Sequence, residues 1–192
     1  MEYKQPTKSE YLGEFYHQMG KDNEELYMSH IETIIGKCNR TVQKYALVDF
    51  YNDECYAELK SRDCWFNSYE KTMIGFNKVV NGFKMMEKKN KKVFFFFAFH
   101  DGLYYWELTR DNYNKNGGDN EIARAGTFHR GEADFKDHYF IKREFLIKVC
   151  SIGSEVPLDV SLNNQEFRET HKPKFYKKDS YSGVGCLLKF KK

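Results

Sequence analysis

The sequence predicts an α/β fold in which a mixed β-sheet is flanked by helices. Three observations predict it. A helical pattern comes first, a hairpin of two alternating strands follows, and a second amphipathic helix then leads into a strand that is apolar on both faces. A helix between strands of one sheet is a crossover, and a hairpin is antiparallel, so together they require a sheet of mixed direction. The 192 residues suffice for one domain with its own core, and 41% apolar residues argue against a disordered chain.

Taken in order, residues 1–20 read as an N-terminal arm holding a short helix, SEYLGEFYHQMG, that stops at Gly20. DNEELYMSHIETIIGK is the first core helix. Asp22 or Asn23 caps it, Glu24 and Glu25 suit its N-terminus, and Gly36 ends it. Leu26, Ile31, Ile34 and Ile35 form its apolar side, while Glu25 and Glu32, seven apart, share a face. YALVDFY and CYAELKS alternate and are joined by the polar link NDE, as a hairpin requires. Tyr69, Met73, Phe76, Val80 and Phe83 recur at spacings of three and four, which predicts a helix over 68–88. KKVFFFFAF is a fully buried strand, and Asp101-Gly102 turns it into a further strand, LYYWELT.

Residues 111–138 are polar, with paired glycines at 117 and 118, and read as a long loop. HYFIKREFLIKVCS reads as a short strand followed by a helical turn or two, and GVGCLLKFKK as a final edge strand. The domain division is therefore an arm over 1–20, a core over 21–150 and a basic C-terminal extension over 151–192.

The net charge of +3 gives a weak overall field, so nucleic-acid contact must rest on local patches. KMMEKKNKK carries five Lys against one Glu, which also complements a helix C-terminus, and Lys172–Lys192 carries seven Lys against one Asp. Five Cys without C-x-x-C spacing give no zinc motif, and the odd count without a signal peptide points to a reduced interior. The longest apolar run, VFFFFAF, is too short to span a bilayer. The expectation is a soluble intracellular protein, cytoplasmic or nuclear, or carried in a virion if viral, with no membrane partner.

The chemistry concentrates on the hairpin. Glu58 and Lys60 are two apart on one strand and project from the same face, and Asp49 on the paired strand can face them. Two carboxylates brought together repel unless a cation joins them or one takes up a proton. Mg²⁺ is satisfied by one or two carboxylates with water and phosphate, and a lysine ammonium is a compact charge suited to a phosphate oxygen or an attacking water. The set describes metal-assisted hydrolysis at phosphorus. The bland alternative is an exposed hairpin carrying a surface ion pair of little worth.

VDFYNDECYAELK resembles the core signature of the PD-(D/E)XK nucleases, which share the restriction-endonuclease-like fold. The resemblance covers residues 24–108, and HYFIKREFLIKV resembles the strand-helix that often follows such cores. It implies that Asp49 and Glu58 hold a metal, with the backbone carbonyl of Leu59 as third ligand and Lys60 as the catalytic amine. It further implies Glu32 on the first helix as an accessory acid, with Glu25 as fallback. Val48 stands where the family name has proline. Lys71 and Lys78 are the candidates for the lysine or glutamine that the crossover helix supplies.

The sequence reading is therefore a Mg²⁺-dependent DNA endonuclease, with Mn²⁺ able to substitute and RNA the less favoured substrate. Its alternative is a non-catalytic nuclease-fold protein that binds nucleic acid or serves as a structural, virion or assembly component. Arg62, Lys71, Lys78, Arg130, Lys136, Lys174, Lys177 and Lys178 are the expected nucleic-acid contacts. A homodimer would bring two sites to two strands, and the sequence leaves that option open.

Overall fold

A computed structural model describes residues 8–42, 46–127 and 134–151. The final edge strand expected over GVGCLLKFKK lies outside the described residues, as do Arg130, Lys174, Lys177 and Lys178. Among the described residues the elements run α1 (Lys8–Ile35), β1 (Asn39–Arg40), β2 (Phe50–Tyr51), β3 (Cys55–Ser61), β4 (Lys71–Gly75), α2 (Phe76–Lys89), β5 (Lys92–Phe99), β6 (Gly102–Leu108), α3 (Arg110–Asn116), β7 (Ile122–Thr127), β8 (Asp134–Lys142) and β9 (Ile147–Ser151).

The main sheet has the order β1-β2-β3-β5-β6-β9. β3 and β5 are parallel and the other neighbours antiparallel, so the sheet is mixed, as expected of a restriction-endonuclease-like core. β5 is central, and its alternation divides the core. Phe94, Phe96 and Ala98 face one cluster with Tyr27, Ile31 and Ile35 of α1. Val93, Phe95, Phe97 and Phe99 face the other, with Val79 of α2 and with Ile74, Tyr139 and Ile141 of a second sheet. The continuous apolar run is thus buried on both faces, which is the condition that produces such runs.

Four expectations are corrected. α1 does not stop at Gly20 but runs through it. A Cβ at Gly20 would meet nothing within 4 Å, so this glycine shapes no turn, and an isolated helical glycine costs only about 1 kcal/mol. The helix expected over 68–88 starts at Phe76. Residues 71–75 form β4, whose buried Thr72 and Ile74 alternate with half-buried neighbours. The loop expected over 111–138 contains α3, β7 and the start of β8. β4, β8 and β7 make a second, three-stranded antiparallel sheet. The helical turns expected after the HYFIK strand are a single 3₁₀ turn, Arg143–Phe145, leading into β9.

The loops that carry the site are tied locally. Gly36 ends α1 at φ +78, and the Asn52 amide donates to the carbonyls of Ile35 (2.7 Å) and Lys37 (3.1 Å). The same Asn52 side chain accepts from the amides of Glu54 and Cys55, which shapes the hairpin turn. α2 ends at Asn90 in the left-handed conformation, with Lys88 and Lys89 in its last turn, where cations offset the exposed carbonyls.

Candidate active site

β2 is only two residues long, so β3 loses its antiparallel partner beyond Ala57. The chain bearing Asp49 supplies what is missing. The Asp49 amide donates to the Ala57 carbonyl (3.0 Å), and its carbonyl accepts from Thr41 (2.7 Å). Its carboxylate then reaches past the end of β2 and accepts from the Leu59 amide (2.8 Å). The N–H and C=O of a strand residue leave on the same side. The Leu59 carbonyl therefore also faces the Asp49 edge, away from β5.

Alternation along β3 sends Cys55, Ala57 and Leu59 towards α1, so Glu58 and Lys60 stand on the α2 side. Glu58 is 2% exposed, and both of its oxygens are taken. Lys60 Nζ lies 2.5 Å from Oε1, and Lys78 Nζ lies 2.9 Å from Oε2. Lys78 comes from α2 and also donates to the Leu47 carbonyl at 2.9 Å. Leu47, Val48, Glu58, Lys78, Asn81 and Gly82 line a small cavity at this point.

The electrostatics show the strain of grouping these acids. Burial holds Asp49 above the ordinary aspartate range, with repulsion from Glu58 as the second cause, and Lys60, the Leu59 amide and Lys78 oppose the rise. Burial likewise raises Glu24 on α1. The next cause is Asp49, with Glu58 adding and Arg40 and Lys60 opposing. α1 is fixed against this end of β3 by the Asn23 amide, which donates to Ser61 Oγ at 2.8 Å.

The structure brings together Asp49, Glu58, Lys60 and Lys78, with the Leu59 main chain between the acids. It does not bring Glu32 to them. The Glu32 carboxylate bonds Lys37 Nζ (2.7 Å) and the Cys38 amide (3.3 Å), and the Lys37 hydrogen bond lowers its pKa. Glu25 is exposed. The helix acid whose field involves Asp49, Glu58 and Lys60 is Glu24, which sequence reasoning passed over. Its signal was present: Glu24, Tyr27, Ile31 and Ile35 fall at spacings of three, four and four, and the last three are buried.

The expected nucleic-acid contacts divide. Lys71 pairs with Glu121 (2.7 Å) on the second sheet. Arg62 is spent internally, on Thr72 Oγ1 (3.1 Å), the Met73 carbonyl and the Phe97 ring face. Lys136 is exposed on β8.

Among the described residues no three or more His, Cys, Asp or Glu side chains stand close enough together to hold a metal ion by themselves. What the site offers is two carboxylates and a main-chain carbonyl. An all-oxygen set of this size suits a hard ion such as Mg²⁺, which keeps several waters and takes one or two carboxylates. The mutual repulsion of Asp49 and Glu58 fits the same ion, because it is the energetic demand a cation would relieve.

The model of a family described as "Phage putative PDDEXK endonuclease" matches residues 17–141. A search of curated proteins found no match. Among solved structures, a nuclease from a fusselovirus is similar, at 16% identity and a TM-score of 0.34, over 89% of this chain and 100% of that one.

Proposed function

We propose that the chain, which belongs to the phage PDDEXK endonuclease family and so to the PD-(D/E)XK nucleases, hydrolyses phosphodiester bonds in DNA with a divalent metal ion. The observation that carries this reading is the convergence of Asp49, Glu58 and Lys60 on the unpaired half of β3. An exposed hairpin would have left these side chains in water. Here Glu58 is among the most buried residues of the strand.

Asp49, Glu58 and the Leu59 carbonyl would hold the ion. When bound, it supplies Lewis-acid stabilisation of the scissile phosphate. Lys60 keeps about a third of its side chain exposed, at 35%, so its ammonium group reaches the solvent side of the site. There it orients the attacking water and stabilises charge developing on the phosphoryl oxygens. Glu24 supplies the accessory carboxylate from α1 that Glu32 cannot supply from its place beside Lys37. Burial of Glu58 beside the half-buried Asp49 limits bulk water on the ligand side, which strengthens the charge interactions there.

Incubation of the purified chain with plasmid DNA, oligonucleotides and RNA in Mg²⁺, Mn²⁺ or EDTA tests the reading. The expected result is metal-dependent cleavage of DNA that Asp49→Ala and Lys60→Ala abolish while the far-UV dichroism stays unchanged. A wild-type chain that cuts neither DNA nor RNA with either ion would instead favour a nuclease fold retained for binding or assembly.

A further inference from the structure

We propose that Lys78 is a positioning residue that sets the metal affinity of the site, acting as a built-in counter-cation to Glu58 with which a divalent ion must compete. The inference rests on the nuclease reading above. Three observations carry it.

First, Lys78 holds both acid-bearing segments with one ammonium group. It bonds Glu58 Oε2 at 2.9 Å and the Leu47 carbonyl at 2.9 Å, and Leu47 lies two residues before Asp49. One group thereby fixes the strand that carries the first carboxylate and the main chain that carries the second.

Second, its base is rigid. One helical turn further on, Gly82 lets α2 lie against the sheet so closely that a Cβ there would stand 2.5 Å from Leu108 Cδ2. The Lys78 side chain is only 21% exposed. This is a fixed strut, unlike the solvated lysines of the last turn of α2.

Third, an ammonium group stands on each oxygen of Glu58. Lys60 holds Oε1 and Lys78 holds Oε2, so an ion approaching either oxygen meets a positive charge already there. Lys60 belongs to β3 itself, two residues from Glu58. Lys78 comes from another layer, and its ammonium group can yield Oε2 while keeping its bond to the Leu47 carbonyl, with the helix in place. While it stays on Oε2 its positive charge repels an incoming cation.

The test is Mn²⁺ binding to the full chain, without nucleic acid, by isothermal titration calorimetry. Lys78→Met keeps the apolar stem and removes the charge. It is expected to bind Mn²⁺ at least on the order of tenfold more tightly than wild type, and its Mn²⁺-induced rise in Tm is expected to be the larger. Lys78→Arg keeps the charge and is expected to stay within about threefold of wild type. Equal or weaker binding by Lys78→Met overturns the proposal, as does equal tightening by both variants.

If Lys78→Met does not fold, acetylation of wild-type lysines decides instead. Mn²⁺ is expected to raise the labelling rate of Lys78 relative to the exposed Lys37, and an unchanged ratio overturns the proposal. A wild-type chain that binds no Mn²⁺ at all overturns the nuclease reading together with this one. Wild-type binding that Lys78→Met leaves unchanged overturns this one alone.

Discussion

Gly82→Ala tests whether the closeness of α2 to the sheet sets the geometry of the site. The added Cβ would lie 2.5 Å from Leu108 Cδ2, 3.3 Å from Val93 Cγ1 and 3.8 Å from Phe95 Cζ. Ordinary carbon contacts sit at about 3.5–4.0 Å, so roughly 1 Å must open. Leu108 and Val93 are 0% and 2% exposed, so either these packed side chains or the helix must shift. Overpacking of this kind costs about 1–3 kcal/mol, against which alanine gains about 1 kcal/mol over glycine in a helix interior. The net loss of up to about 2 kcal/mol corresponds to a fall in Tm of up to roughly 8 °C for a chain of this size. Where the helix lifts, it draws Lys78 Nζ away from its 2.9 Å contact with Glu58 and towards the limit of hydrogen bonding. Scanning calorimetry of the metal-free protein measures the first effect, and Mn²⁺ titration, tightening as in Lys78→Met, measures the second. A Tm above wild type would refute the reasoning, because helix propensity would then outweigh any overpacking at the position.

Asp49→Asn is expected to raise the Tm of the metal-free chain at pH 7 while abolishing cleavage. The carboxyl's pKa is raised in the folded state, so its ionisation opposes folding. That penalty is absent below the ordinary aspartate pKa near 4 and grows as pH rises through the folded value. The Tm advantage over wild type should therefore shrink as pH is lowered from 7 towards 4, and a pH-independent gap counts against a buried ionised Asp49. Glu24→Gln is expected to lower Mg²⁺-dependent cleavage roughly tenfold to hundredfold, as loss of a supporting carboxylate does. Glu32→Gln should stay within about twofold, because it breaks only a pair with the exposed Lys37. Steady-state rates on one oligonucleotide compare the two, and the reverse order would return the accessory role to Glu32.

The hairpin site was legible because its chemistry and its geometry share one short segment. Period-two alternation places Glu58 and Lys60 on one face whatever surrounds them, and β2–β3 pairing brings Asp49 alongside. The buried strand β5 was legible for the same reason, since its apolar run needs no partner to be recognised. What failed depended on distant partners. β4 forms because Lys71–Gly75 pairs with His138–Lys142 across the chain, and that pairing overrides the helical spacing of Tyr69, Met73 and Phe76. β7 and the first half of β8 were hidden by the charges of residues 122–138, which belong to a second sheet the sequence did not announce. Glu24 was passed over because Leu26 and Ile34 widen the apolar side of α1, whereas burial of Tyr27, Ile31 and Ile35 centres the packed face on the side that also carries Glu24.

Charge accounting around β3 links these residues to the substrate. Asp49, Glu58 and Glu24 contribute three negative charges when ionised, and Lys60 and Lys78 two positive ones, so the metal-free cluster is short of one positive charge. The raised pKa values of Asp49 and Glu24 answer part of that shortfall by holding protons more readily, although burial remains the larger cause. Arg40 is exposed, where screening weakens its share. A divalent ion reverses the balance and leaves one positive charge in excess, which a single phosphodiester neutralises. Buried charges are tolerated only when compensated, so metal and nucleic acid should bind cooperatively, and by linkage each should raise the affinity of the other by the same factor. Mn²⁺ affinity measured with and without a phosphorothioate oligonucleotide tests this. Independent binding of the two would mean that the phosphate does not enter the cluster of Asp49, Glu58 and Lys60.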